Sequence, residues 1–314
     1  MSLLTVKRSQ HEFGFSDDSF RSTVPDVLIH LHIPKTGGTS LNSIVQHGFR
    51  TDEVLGITVF GYPGTEQRDA LGLIRYEYFQ QQIASHNADD LRRIRYITGH
   101  LPFGLHRLFN RPAKYFSVIR QPVDRVMSDF FFGIESNEPY QINGRTIALE
   151  EFVESDDVRS RNYQVRVLSG CPELASRSVP VQRLHLEQAK HNIEDYFLAV
   201  APLERMTELA LLIRQTYNWP MRRLLTEYKL KSSGKPRVSE VSSRLIKTIE
   251  QCNTYDAELY EWVQKQFARR CQFFEPQLSR NLRRYNIISG MLNDAGQILP
   301  WQLRKRLAQV FFYA

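Results

Sequence analysis

The run Val27-Leu28-Ile29-His30-Leu31-His32-Ile33 passes directly into Pro34-Lys35-Thr36-Gly37-Gly38-Thr39-Ser40. The first half is short, apolar and rich in β-formers, and Pro25 and Pro34 bound it. It reads as a buried strand. The second half is a glycine-containing turn. Leu41 then opens an apolar-periodic segment, with Thr39 or Ser40 placed to cap a helix. A glycine turn between strand and helix suits an anion. The glycines let backbone N–H groups face one concavity, and the helix N-terminus adds positive potential. Lys35 adds a mobile cation, and Thr36, Thr39 and Ser40 add hydroxyl donors.

The pattern repeats outward from this unit. Residues 94–98 (IRYIT) read as a strand ending in Gly99-His100. Residues 115–119 (YFSVI) end in Arg120-Gln121-Pro122 and lead into 123–132, a helix that starts just after a proline. A fourth strand, 196–200, follows a helix at 186–193 and precedes helical spacing over 203–217. A long helix covers 239–267, with a break near Asn253. Alternating strands and helices predict an α/β fold, a P-loop-type parallel β-sheet flanked by helices. The expected organisation is a polar tail over 1–24, one domain over 25–280 and a helical appendage over 281–314. The loop 229–238 (KLKSSGKPRV) is basic and carries Gly-Pro punctuation.

Composition narrows the class. With 42% hydrophobic and 24% charged residues, the chain is neither disordered, collagen-like nor a multi-span membrane protein. The longest apolar runs, such as 196–203, are too short to span a bilayer. Lys and Arg exceed Asp and Glu for a net charge of +7 and a pI near 9.3, which favours an anionic ligand. Cys171, Cys252 and Cys271 are too sparse for a disulfide framework and lack zinc-site spacing. The first ten residues hold no apolar signal-peptide core, so a cytoplasmic enzyme is expected.

The turn is not a Walker A motif, because Lys35 precedes the glycines instead of following them. No Walker-B carboxylate is evident either, so the expectation is a nucleotide site without a metal. Two rival readings stand beside a transferase. A P-loop-like nucleotide kinase or NTPase would want the missing lysine and metal site. A non-catalytic anionic-ligand-binding protein would want a basic stripe with interleaved aromatics, which the sequence lacks.

The string His32 to Ser40 resembles the 5′-phosphosulfate loop of sulfotransferases that use 3′-phosphoadenosine 5′-phosphosulfate (PAPS). It is most similar to the heparan and uronosyl 2-O-sulfotransferase-like carbohydrate branch. Arg120-Gln121-Pro122-Val123-Asp124-Arg125-Val126-Met127-Ser128 resembles that family's 3′-phosphate element, RxPxxRxxS. Gly99-His100 resembles the segment carrying the catalytic base, and residues 161–166 resemble an Asn-x-x-x-Arg stretch. The resemblance covers about residues 25–270.

The resemblance implies a PAPS-dependent O-sulfotransferase with Lys35 and His100 as catalytic residues. Lys35, Thr36, Gly37, Gly38, Thr39, Ser40, Arg120 and Ser128 would bind the nucleotide, joined by Lys235 and Arg237 from the basic loop. Arg161, Arg166 and His106 would face the acceptor, a glycan or glycolipid with a free hydroxyl and an acidic character. Nucleic acid is not an expected partner. The chemistry wants these residue types. In-line sulfuryl transfer builds negative charge on the bridging oxygen, which a lysine and N–H donors stabilise. The attacking hydroxyl needs a base working near neutral pH, and histidine suits that, at about 10²–10⁴-fold. Glu135 is the rival base. Asp124 and Arg125 read as helix-surface or supporting residues.

Overall fold

A computed structural model describes residues 24–57, 67–136, 139–142, 144–220 and 241–296. Its strands are β1 (Val27–Leu31), β2 (Val54–Gly56), β3 (Tyr96–Gly99), β4 (Ala113–Ile119), β5 (Gln141–Ile142), β6 (Arg145–Thr146) and β7 (Phe197–Pro202). The helices are α1 (Gly38–Val45), α2 (Tyr76–Ala84), α3 (Ala88–Arg93), α4 (Pro122–Glu135), α5 (Leu149–Glu154), α6 (Tyr163–Ser169), α7 (Arg183–Tyr196), α8 (Met206–Thr216), α9 (Ser243–Cys252), α10 (Thr254–Gln272) and α11 (Gln277–Gly296). Five strands form one sheet in the order β2-β3-β1-β4-β7, and every pairing is parallel. Strands β5 and β6 make a small, exposed antiparallel pair.

The central strand explains the apolar run. All five residues of β1 are buried, and successive side chains enter opposite layers. Val27, Ile29 and Leu31 pack with Tyr163, Leu168, Leu186 and Leu259 from α6, α7 and α10. Leu28 packs on the other face with Leu41 of α1 and with Leu209 and Leu212 of α8. Each such side chain contributes about 1.5–3 kcal/mol on burial. A third cluster joins α4, α5 and α9 through Val126, Phe130, Phe152, Leu245 and Ile249. The expected break near Asn253 is real, since α9 ends one residue before it and α10 begins one residue after it.

A helix crosses the expected appendage boundary. Position 280 lies inside α11, and Leu278 and Tyr285 of that helix are both buried in the core beside α8. The expected tail, apart from Val24, and the basic loop with Lys235 and Arg237 lie outside the described residues. No described helix is long and apolar enough to cross a membrane.

Candidate active site

The carboxyl ends of β3, β1 and β4 lie side by side, and each delivers a candidate residue. Strand β1 leads to His32 and the turn, β3 to His100, and β4 to Arg120. Parallel sheets gather ligand sites at this edge.

The turn is held in an uncommon backbone conformation. Lys35 has φ +69° and Gly37 has φ +82°. Glycine tolerates this region, whereas a lysine there is a local strain that recurs at functional sites. Gly37 is the N-cap of α1, and no side chain caps that helix. This corrects the expectation that Thr39 or Ser40 caps it. Both glycines also admit close neighbours. A Cβ on Gly37 would meet Leu203 Cδ1 at 2.5 Å, and a Cβ on Gly38 would meet His32 Cδ2 at 2.1 Å. The Lys35 ammonium sits 3.4 Å from the centroid of the Phe132 ring on α4. The Thr36 hydroxyl is buried and donates to the Ile33 carbonyl at 2.8 Å. Its proton is spent within the turn, which leaves only the backbone N–H of Thr36 to donate to a ligand.

Arg120 closes the cradle from the neighbouring strand. Its Nη1 donates to the Lys35 carbonyl at 3.3 Å. Its backbone N–H donates to Gln164 Oε1 at 2.8 Å, and its carbonyl accepts from Gln164 Nε2 at 2.8 Å. Burial pulls the guanidinium pKa down, while nearby Asp124 and Glu204 oppose that. Ser128 lies further along α4 and is 3% exposed. Arg125 departs from expectation, being fully buried. It donates to Asp129 at 3.3 Å, and its other terminal nitrogen donates to the Arg159 carbonyl. Asp129 also accepts from Arg159 at 2.5 Å and from Tyr140 at 3.1 Å. The four-residue spacing of Arg125 and Asp129 on one helix was the available signal.

His100 is partly exposed, and its ring lies 4.7 Å from the His32 ring, which in turn stacks at 5.2 Å on buried His30. The three rings run from the sheet interior to the site. Burial, then Arg68, Arg159, His30 and Lys35, push the His100 pKa down to about 4. Burial, then His100 and Lys35, push His32 to about 3. Both imidazoles are therefore neutral near pH 7, which a proton acceptor requires. Arg68 reaches this corner through the backbone. The His100 carbonyl accepts from Ile74 N–H at 2.8 Å, and Ile74 bridges Arg68.

The three acceptor-side candidates each have partners within the fold. Arg161 donates to the Ser155 and Glu154 carbonyls and pairs with Asp156. Arg166 is buried and donates to the carbonyls of Arg161, Leu174 and Val179. Both guanidiniums tie loops together. His106 stacks on Tyr196 at 4.4 Å and meets the Tyr115 hydroxyl at 3.1 Å. Tyr196 immediately precedes β7, so His106 sits toward the amino ends of the strands, away from His100. Glu135 lies exposed at the last position of α4.

Cys171, Glu173 and His185 offer ligand atoms within 4.8 Å of one another. His185 Nδ1 already accepts the Gln182 N–H at 3.0 Å, which leaves the ring proton on the nitrogen facing Glu173. That nitrogen is then no metal ligand.

Residues 25–164 match the sulfotransferase domain family. That stretch of the chain is a sulfotransferase domain. Two curated relatives align along most of its length. Human heparan-sulfate 6-O-sulfotransferase 1 is 25% identical over 88% of this chain and 74% of its own. Heparin sulfate O-sulfotransferase of Drosophila melanogaster is 25% identical over 84% of this chain and 78% of its own. A solved sulfotransferase from Alicyclobacillus acidocaldarius overlays loosely, with a TM-score of 0.43 at 13% identity over 78% of this chain and 97% of that one. The domain match spans all three strand ends described above, from His32 through His100 to Arg120.

Proposed function

We propose that this sulfotransferase moves a sulfuryl group from PAPS to a hydroxyl of an acidic saccharide, with His100 as general base. The observation that carries the reading is the junction of three strand ends. There Arg120 braces the Lys35 turn, and His100 and Gly38 both contact the His32 ring. The fit to the donor rests on this chain's own features. A helix start without a side-chain cap, a glycine that a Cβ would fill and a guanidinium bound to the backbone of the same turn suit a doubly anionic nucleotide.

The donor supplies an activated sulfuryl group on a phosphate leaving group. Backbone N–H groups of the turn and the Lys35 ammonium hold the 5′-side anion. Arg120, with Ser128 behind it, holds the 3′-phosphate. His100 accepts the proton of the attacking hydroxyl as that oxygen bonds to sulfur. Lys35 stabilises the charge left on the departing oxygen when the S–O bond breaks.

The relatives' saccharide substrates support the acceptor class, and the charge around His100 supports its acidity. The charges of Arg68 and Arg159 disfavour protonation of the imidazole, and Arg159 shares the carboxylate of Asp129 with Arg125. Two guanidiniums, Arg125 buried and Arg159 partly exposed, against one buried carboxylate leave a positive excess that an anionic acceptor offsets.

The test is transfer of radiolabelled sulfuryl from PAPS to N-sulfated heparosan, to unsulfated heparosan and to neutral dextran. The expected result is labelling of the acidic polymers alone, lost in Lys35→Ala and His100→Ala. Labelling of dextran at an equal rate removes the acidic acceptor, and near-normal turnover of His100→Ala removes the base.

A further inference from the structure

We propose that Gln164 is a positioning residue for the donor site, its side-chain amide setting where Arg120 delivers its guanidinium. The inference rests on the reading of Arg120 as the 3′-phosphate ligand.

The chain geometry creates the need. Strand β4 ends at Ile119, and α4 begins at Pro122, whose nitrogen carries no hydrogen. The last paired residue of β4 is Ile119, opposite Pro202, so Arg120 lies beyond the ladder. Its N–H and C=O are half buried and require partners. Gln164 supplies both at 2.8 Å, one through Oε1 and one through Nε2. A two-point clamp fixes the rotation of the peptide as well as its position, which a single hydrogen bond does not.

The clamp is itself held. Gln164 is fully buried. Its Nε2 also lies 3.4 Å from Asp256 Oδ2, which orients the amide with Oε1 toward Arg120. Asp256 accepts the N–H groups of Gln164 and Val165 at 3.0 and 2.8 Å, a carboxylate at the start of α6. Asn162 and Asn253 lock the two helix starts reciprocally. Asn253 accepts from Asn162 N–H at 2.8 Å, and Asn162 Oδ1 accepts from Tyr255 and Asp256 N–H at 3.0 and 3.1 Å. A continuous hydrogen-bonded path therefore runs from the start of α10 through Gln164 and Arg120 to the Lys35 carbonyl.

The experiment measures binding of adenosine 3′,5′-bisphosphate and of adenosine 5′-phosphate to the full chain, together with the thermal midpoint. Variants are Arg120→Ala, Gln164→Met and Gln164→Glu. Wild type is expected to prefer the 3′-phosphorylated nucleotide, and Arg120→Ala to lose that preference. Gln164→Met is expected to cut the preference about tenfold, in line with two lost hydrogen bonds. It should also raise the donor KM while the acceptor KM stays within about twofold. Gln164→Glu keeps the acceptor for the Arg120 N–H and should fall between; it carries the same comparison if Gln164→Met does not fold. Equal weakening of both nucleotides in a folded Gln164 variant overturns the clamp. An unchanged preference there, with the preference lost in Arg120→Ala, overturns the clamp alone. An unchanged preference in Arg120→Ala overturns the reading of Arg120 and the clamp's purpose with it.

Discussion

The Arg120 guanidinium donates from Nη1 to the carbonyl oxygen of Lys35 at 3.3 Å, joining the end of one strand to the anion turn that follows its neighbour. A lysine cannot span this role, since the bracing bond and a phosphate contact need a fork of donors. Arg120→Lys is expected to keep the fold and raise the donor KM about tenfold, with the acceptor KM unchanged. Steady-state kinetics with each substrate varied separately is the check. A donor KM equal to wild type would show that charge alone suffices at this position.

Gly38 is required by the His32 ring. A Cβ there would lie 2.1 Å from Cδ2, and the ring cannot retreat without disturbing His100. Gly38→Ala is expected to lower kcat about 10²-fold, the scale on which small misplacements act. Adding His32→Ala removes the clash and should restore adenosine 3′,5′-bisphosphate binding to the Gly38→Ala protein. Calorimetric titration of the single and double variants decides this.

His100 should titrate near 4 in the ligand-free protein, because burial, Arg68, Arg159, His30 and Lys35 all disfavour its protonated form. An anion bound beside Lys35 offsets part of that positive charge and stabilises the imidazolium. Adenosine 3′,5′-bisphosphate is therefore expected to shift the His100 pKa upward. The imidazole resonance, assigned with His100→Gln, reports it. A pKa unchanged on saturation would separate His100 from the nucleotide.

His30 is fully buried, its pKa is lowered by burial and then by His32, and its Nε2 has no hydrogen-bond partner among the described residues. Folding thus favours the neutral ring. Below the unfolded pKa, about 6.5, the unfolded chain binds protons that the folded chain does not, so stability falls with falling pH. His30→Phe, stacking on Phe116 in the same place, should be more stable than wild type at pH 5 relative to pH 8. Urea unfolding at the two pH values measures the difference. Equal shifts at both would assign the effect to packing.

The two corrected arginines should part company from the site. Arg166→Met leaves three carbonyls without their donor, one buried and two part-buried, and is expected to destabilise the fold by about 3 kcal/mol. Arg161→Ala, at a more exposed position, should cost within about 1 kcal/mol. Neither should alter the acceptor KM in folded protein. A selective rise in that KM would return the residue to the acceptor site.

Local signals were strong where one segment makes its own structure. The strand–turn–helix unit at 27–45 carries its hydrophobic run, its prolines and its glycines within a few residues. The proline-initiated α4 and the interruption at Asn253 are equally local. Arg159 and Arg166 were illegible in sequence, because a charge is read as surface until its partners are known, and Arg125 had only its four-residue spacing from Asp129 as a signal. Arg125, Arg159 and Arg166 meet their acceptors up to 34 residues away. Arg161 and His106 are acceptor-side candidates only through the family resemblance, and in the fold one is bound by carbonyls of its own loop and the other by aromatics at the far end of the strands.

By itself the amino-acid sequence determined the parallel α/β fold, the glycine turn with Lys35, and the placing of that turn, His100 and Arg120 at strand ends. Periodicity, glycine and proline act over a few residues, so they survive in a one-dimensional reading. The tertiary structure alone decided that Gln164 clamps Arg120 and that Asp256 orients Gln164, contacts spanning 44 and 92 residues. It also decided that Arg68 and Arg159 are the cations beside His100. Hydrogen bonds and buried charges are satisfied by whatever the sheet order brings within about 3 Å, and that order is set by packing of the whole core.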